Sequence, residues 1–265
     1  MMAVVAGYKG FVTSWGSPND AILSLFAPMS FSAQISAEQY DSTAFVAGST
    51  SAVVRTRVKG LREWTASIEG YNATPVAGHL GTFTGTNIYA TNPKSWEVTI
   101  NADALETTTF QPSSQWKTFV PGLVNWALTY ECYVDSSTAL VLPDATAGTT
   151  ASFTATLSTG NTLGGTVVVT DCAISTEVGG LATVRYSCVG TGHLTTVGSA
   201  NVLPANSGTM TIPAASSMVL TTYDDASDKT LTGSAFWTSL KVSTAVGSPI
   251  RLSAAVRGGG ALTAA

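Results

Sequence analysis

VKGLREWTASIEGY (residues 58–71) and VPGLVNWALTYECY (residues 120–133) are one pattern written twice. Gly60, Leu61, Trp64, Glu69 and Tyr71 recur as Gly122, Leu123, Trp126, Glu131 and Tyr133 at a constant offset of 62. Past the tryptophan, large apolar and polar residues alternate with a period of two, which reads as a half-buried β-strand. The Gly-Leu pair is expected to end a loop and open that strand. The Trp and Tyr are expected to fill a core layer.

The repetition extends outward in both directions. QISAEQYDSTAF (34–45) matches TINADALETTTF (99–110), with Ile35, Ala37, Thr43 and Phe45 falling on Ile100, Ala102, Thr108 and Phe110. Further on, residues 170–180 and 189–195 match 238–248 and 257–263 at an offset of 68. There Gly190, Gly192, Leu194 and Thr195 return as Gly258, Gly260, Leu262 and Thr263. The Gly-x-Gly endings predict a bulge or a close backbone approach. The units run early, early, late, late. If each fold needs one of each kind, an inner module spans about 96–195 and an outer module spans about 1–95 plus 196–265. A single large β-sandwich containing all four units is the alternative.

The surrounding sequence supports strands. WTASIEGY, WEVTINA (96–102), WALTYECY, ASFTATLS (151–158), TVVVTDCAIS (166–175) and TVRYSCVG (183–190) all alternate and are bounded by turn formers. The gaps are too short for the crossover helices of a parallel sheet. The expected class is all-β, an antiparallel sandwich or barrel with internal duplication and at most one or two short helices. One such helix would start at Ser17-Pro18-Asn19-Asp20 and continue through Phe26, where a loop carrying apolar plugs is the alternative.

Composition excludes several functions. Charged residues make up only 11% of the 265, against a usual share of about 25%. A net charge of −4 and one short basic cluster (Arg55, Arg57, Lys59, Arg62) do not make a phosphate-binding stripe. Cys132, Cys172 and Cys188 have no metal spacing; buried thiols are expected, with a Cys172–Cys188 bridge open if they flank a hairpin. His79 and His193, the only histidines, both stand beside Gly in turn-like sequence. Asp224, Asp225 and Asp228 lack the spacing of a calcium loop and read as a solvated turn. No catalytic, metal or cofactor site is therefore expected, and the chain reads as non-enzymatic. The start lacks a basic leader, and the uncharged stretch 186–223 is too rich in Ser, Thr, Gly and Asn to span a membrane. Synthesis as a soluble cytoplasmic protein is the expectation.

Residues 96–195, with FVPGLVNWALTYECY and then VVVTDCAISTEVGGLATVRYSCVGTGHL, resemble the tail tube (major tail) proteins of long-tailed bacteriophages. Val58 to Leu61 and Gly258 to Gly260 resemble the same pieces less closely. The resemblance implies a structural virion protein, assembled in the host cytoplasm. Its strands would join those of sister subunits into stacked rings around a lumen for DNA. It implies homo-oligomeric rings, trimeric or hexameric, with tape measure, tail terminator and baseplate proteins as further partners. DNA would be present only in transit, and no membrane is involved. Other β-rich display proteins (capsid decoration, pilin-like or adhesin modules) are the alternative. A sugar-binding module would need an exposed aromatic platform, whereas Trp64, Trp96 and Trp126 read as core.

Overall fold

The computed structural model describes residues 10–14, 26–42, 57–72, 83–89, 91–109, 115–134, 147–158, 161–197, 205–206, 209–210, 215–222 and 229–264. The strands, in chain order, are β1 (Gly10–Ser14), β2 (Phe26–Asp41), β3 (Arg57–Asn72), β4 (Phe83–Thr86), β5 (Pro93–Glu106), β6 (Phe119–Tyr133) and β7 (Thr150–Ser158). They continue as β8 (Asn161–Ser175), β9 (Thr183–Val197), β10 (Ala205–Asn206), β11 (Thr209–Met210), β12 (Ser216–Thr222), β13 (Lys229–Ala245) and β14 (Arg251–Ala264). All six segments expected as strands lie inside these elements. The described residues contain no helix. The stretch from Ser17 to Leu25 lies outside them, and Phe26, expected to close a helix, opens β2 instead.

The fold is all-β and antiparallel. Twelve strands form one sheet with the path β2-β3-β14-β13-β5-β6-β9-β8-β7-β4, and β12 adds to β13 and β1 to β12. The path is open, so the chain forms no closed barrel. β10 and β11 pair separately. β4 with residues 93–197 fills one end of the path, and β1–β3 with β12–β14 fill the other. β4 (83–86), expected in an outer module of about 1–95, thus pairs with β7 of the inner one.

The two ends share their register residue for residue. Ile35 faces Trp64 as Ile100 faces Trp126, and Gln39 faces Lys59 as Ala104 faces Pro121. Bulges fall at Pro28/Ser30 and Ala37/Gln39 in one pair and at Pro93/Ser95 and Ala102/Ala104 in the other. The late hairpins agree likewise: Cys172 faces Tyr186 as Leu240 faces Ala254, with bulges at Val169/Asp171 and Trp237/Ser239. A bulge adds local bend and twist, which lets a long strand pass from one layer to another. β13 does this: its first part pairs with β12 and its last part with β5.

Period-two alternation then separates the faces. Trp64, Ala66 and Ile68 of β3, Trp96, Val98 and Ile100 of β5, and Trp126, Leu128 and Tyr130 of β6 are buried. Each such large side chain contributes about 1.5–3 kcal/mol on burial. Phe153 of β7 packs on Trp126 with ring centroids 5.8 Å apart, and Met218 and Leu220 of β12 join the same core. The result is sandwich-like.

Each repeated tryptophan lies on a repeated glycine. A Cβ on Gly258 would come within 2.1 Å of Trp64 Nε1, and one on Gly190 within 2.1 Å of Trp126 Cδ2. Trp64 Nε1 donates to the Gly260 carbonyl at 3.0 Å, and Trp126 Nε1 donates to that of Gly192 at 3.1 Å. Gly192 holds a φ of 69°, in the left-handed region that favours glycine.

Two expectations are corrected. Gly60-Leu61 and Gly122-Leu123 lie within β3 and β6 rather than at loop ends, and Leu123 is exposed. Tyr71 and Tyr133 do not join the tryptophans in the core. Seven positions after Trp64 and Trp126, alternation sends them to the opposite face, where Arg251 and Lys94 stand over their rings. Tyr130 and Tyr186 fill the core instead, stacked with centroids 6.2 Å apart.

The cysteines are free. Cys172 stands opposite Tyr186 and Cys188 opposite Val169, so the two thiols are offset along the hairpin. Burial pushes the Cys188 thiol up to about 12, Cys132 up to about 11 and the Tyr186 hydroxyl up to about 12.

Two outcomes are expected. Gly190→Ala and Gly258→Ala should each cost about 1–3 kcal/mol or more in urea unfolding, because the indole must move. Gly260→Ala, with nothing within 4 Å of its added methyl, should stay within about 0.5 kcal/mol of the parent. In alkali, the unfolded chain loses its thiol and phenol protons before the folded one does. Stability is therefore complete below about pH 9 and falls between pH 9 and 12, which a series of thermal melts would show. Cys188→Ala should make that fall shallower.

Candidate functional site

The seam between the two ends of the sheet is the pairing of β13 with β5. Ser239, Leu240, Lys241, Val242, Ser243, Thr244 and Ala245 stand opposite Asn101, Ile100, Thr99, Val98, Glu97, Trp96 and Ser95. Leu240, Val242, Ile100, Val98 and Trp96 are fully covered there. On the polar face Lys241 Nζ lies 2.8 Å from Glu97 Oε2, and Ser239 Oγ donates to Asn101 Oδ1 at 2.9 Å. A strap reinforces the seam. The Lys117 amide donates to the Arg62 carbonyl at 2.8 Å, and the Arg62 amide donates to the Gln115 carbonyl at 2.8 Å. The Arg62 guanidinium lies 4.6 Å from the Trp116 ring centroid, and Arg257 lies 3.8 Å from that of Phe119. Lys117 also bridges Glu38 and Glu106, which holds the Glu38 carboxyl below its ordinary value through its hydrogen bond to Lys117.

The same two edges occur again without a second hydrogen-bonded strand among the described residues. β8 repeats β13, and β2 repeats β5. Past Val169, β8 pairs with β9 alone, and along Ser30–Ala37 β2 pairs with β3 alone, among the described residues. The difference in cover is large. Ile35 is 53% exposed where its counterpart Ile100 is 1% exposed, and Ile174 is 43% exposed where Val242 is 0%. Ala33, Ala37 and Thr176 are likewise exposed, while Val98, Ala102 and Thr244 are buried. Unpaired strand edges carrying apolar side chains template pairing with another chain.

The face opposite the core is polar from β2 to β8. Glu63, Glu69, Glu97 and Glu131 share it with Arg185, Lys241, Arg251 and Arg257, so acids and bases balance. Arg257 pairs with Glu63 at 2.7 Å and Lys94 with Glu131 at 2.7 Å. A depression of about 490 Å³ lies on this face beside Glu69, Glu97, Lys241 and Arg251. Its Glu97 and Lys241 are committed to each other.

The repeat positions divide by role. Trp64 and Trp126 meet Gly258 and Gly190 and bond to Gly260 and Gly192 beneath the sheet. Gly60 and Gly122 sit where a Cβ would press on Tyr40 and Glu38, or on Asp103 and Leu105, across the strand pair. Leu61 is half-buried, and Tyr71 and Tyr133 lie on the polar face. None of these forms a reactive cluster, and no group of three metal-capable side chains occurs among the described residues. His193 is exposed on β9. His79, Arg55 and the Asp224–Asp228 turn lie outside the described residues. Arg57 donates to Gln39 Oε1 at 2.9 Å.

Ile35 and Thr176 are repeat positions and Cys172 is a thiol expected to be buried, but the sequence alone does not mark them, with Phe31, Ala33 and Ile174, as the residues of an open edge. Their signal was present: apolar residues at every second position, matching strands that the duplication buries elsewhere. No protein-family model matches the chain, and no curated protein sequence matches it.

Equivalent substitutions should have opposite effects on the isolated chain. Ile35→Lys and Ile174→Lys should leave the chemical-denaturation midpoint nearly unchanged, within about 0.5 kcal/mol. Ile100→Lys and Val242→Lys, which bury an unpaired charge at the matching positions, should cost about 3 kcal/mol or more.

Proposed function

We propose that this chain is a structural subunit that joins copies of itself edge to edge into rings, and that the rings stack into a hollow phage tail tube. The observation that supports this is the seam. One β13-type edge takes one β5-type edge inside the chain, and among the described residues one edge of each type is left without a strand partner. The two edges differ, so their union is heterologous: it propagates in one direction and closes into a ring or runs on as a filament. It cannot give a two-fold dimer.

The arrangement suits a conduit. Among the described residues the polar face bears no second layer, whereas β7, β12 and the first parts of β8 and β13 cover the other. In a closed ring the face with the extra layer takes the larger circumference outside, and the polar face lines the bore. With acids and bases balanced, such a lining offers no basic stripe to hold phosphates by counterion release. Three chains contribute six such units to a ring, the number that the tail-tube resemblance favours. Tape measure, terminator and baseplate proteins would meet the tube at its ends, and the assembled virion is where the chain would act. No step of this role needs a cofactor or catalysis.

Electron microscopy of the purified protein at high concentration should show hollow tubes of uniform width. Native mass measurement of one ring should give three chains; six would remove the threefold version. Ile35→Lys and Ile174→Lys should remain folded single chains under the same conditions. A parent protein that stays monomeric at every concentration, or that stops at two-fold dimers, would overturn the proposal.

A further inference from the structure

The seam also specifies how two copies meet, an inference that rests on the self-assembly reading above. We infer that the β8 edge of one chain receives the β2 edge of a second copy in the register β13 uses for β5. Carried across by the repeat, that register sets Cys172 opposite Ile35, Ile174 opposite Ala33 and Thr176 opposite Phe31 on the apolar face. On the polar face, Asp171 meets Ser36, Ala173 meets Gln34 and Ser175 meets Ser32.

Three observations carry the transfer. First, the strands behind each edge are matched in register and bulge position, so the bare edges present the backbone that the seam presents. β9 backs β8 as β14 backs β13, and β3 backs β2 as β6 backs β5. Second, the side chains fit the same space. Leu240/Ile100, Val242/Val98 and Thr244/Trp96 at the seam become Cys172/Ile35, Ile174/Ala33 and Thr176/Phe31. In the middle pair one side chain grows as its partner shrinks, which keeps the layer filled. Third, the polar rows bring no like charges together: Asp171 and Glu177 meet the hydroxyls of Ser36 and Ser30. A slip of one residue is excluded, because it would turn every apolar side chain of the edge onto the polar face.

Slips of two residues keep the faces, so the test must separate them. Cys172 is half-buried on the free edge, while Cys132 and Cys188 are buried within the chain. Cα partners on antiparallel strands hold their Cβ atoms about 4.5–5.5 Å apart, close to the reach of a disulfide, and a slip of two opens that gap to about 7–8 Å. Ala33→Cys, Ile35→Cys and Ala37→Cys would each be assembled and mildly oxidised, then run on denaturing gels without reductant. Ile35→Cys should give a ladder of linked chains, several-fold stronger than either neighbour, and Cys172→Ser in the same background should abolish it. Equal or stronger linking at 33 or 37 overturns the register. So does a failure of all three to link while electron microscopy shows rings, and in both cases the tube reading stands. If neither rings nor links form at any protein concentration, the tube reading and this inference fall together.

Discussion

A strand in a sheet has two edges, each a row of N–H and C=O groups that must find partners where water is excluded. β13 satisfies both along most of its length: β14 lies on one side, and β12 up to Ala235 and then β5 from Ser239 lie on the other. The bulge between Trp237 and Ser239 marks the change of partner, where the strand leaves one layer for the next. β8 is built the same way, with β9 on one side and β7 over its first part. Its last part has the matching bulge and backbone but no second neighbour among the described residues. The architecture is one strand-pairing scheme carried out fully once and in part once.

What keeps the two copies alike is the contact between tryptophan and glycine. Trp64 and Trp126 lie flat against backbone that lacks Cβ atoms, and each indole N–H is answered by a carbonyl two residues farther along. The same rings also approach the folded-over parts of the long strands. A Cβ on Gly165 would come within 2.8 Å of Trp126, and one on Gly233 within 2.8 Å of Trp64. Each indole therefore fixes the spacing between β3 and β14, or β6 and β9, and the closeness of the second layer. With both fixed twice in the same way, the free edges of β2 and β8 keep the register and bulges of their counterparts in the seam.

Much of this is readable from the residues, because Trp64, Trp126 and the Gly-x-Gly pairs recur at fixed offsets and strand alternation shows which positions face inward. The same rule places Tyr71 and Tyr133 outside, since seven is an odd step; aromatic bulk had suggested otherwise. Gly60-Leu61 and Gly122-Leu123 look like loop ends because glycine usually interrupts strands, yet here each marks a close crossing beside a bulge within one. The bare edges are harder to see. Ile35 and Ile100 sit in nearly the same local sequence, and no local signal says that β13 will cover the second and leave the first. Only the three-dimensional path, in which one chain has two edges of each kind and one seam to use them, makes that choice.

The seam and the free edges also differ in a way that sorts correct from incorrect pairing. If β13 took a foreign β2 in place of its own β5, Phe31 would stand where Trp96 fills the layer. Lys241 would then find Ser32 where Glu97 had been. The lost surface ion pair is worth only about 0–1 kcal/mol, but the space left by the smaller ring adds a cavity penalty within the core. The tether adds more, because a strand of the same chain competes at a far higher effective concentration than one in solution. The internal seam therefore closes first and excludes the foreign strand. Among the described residues β8 has no β5-like strand left to it, so in the proposed assembly its last part is the place for the β2 of a neighbour.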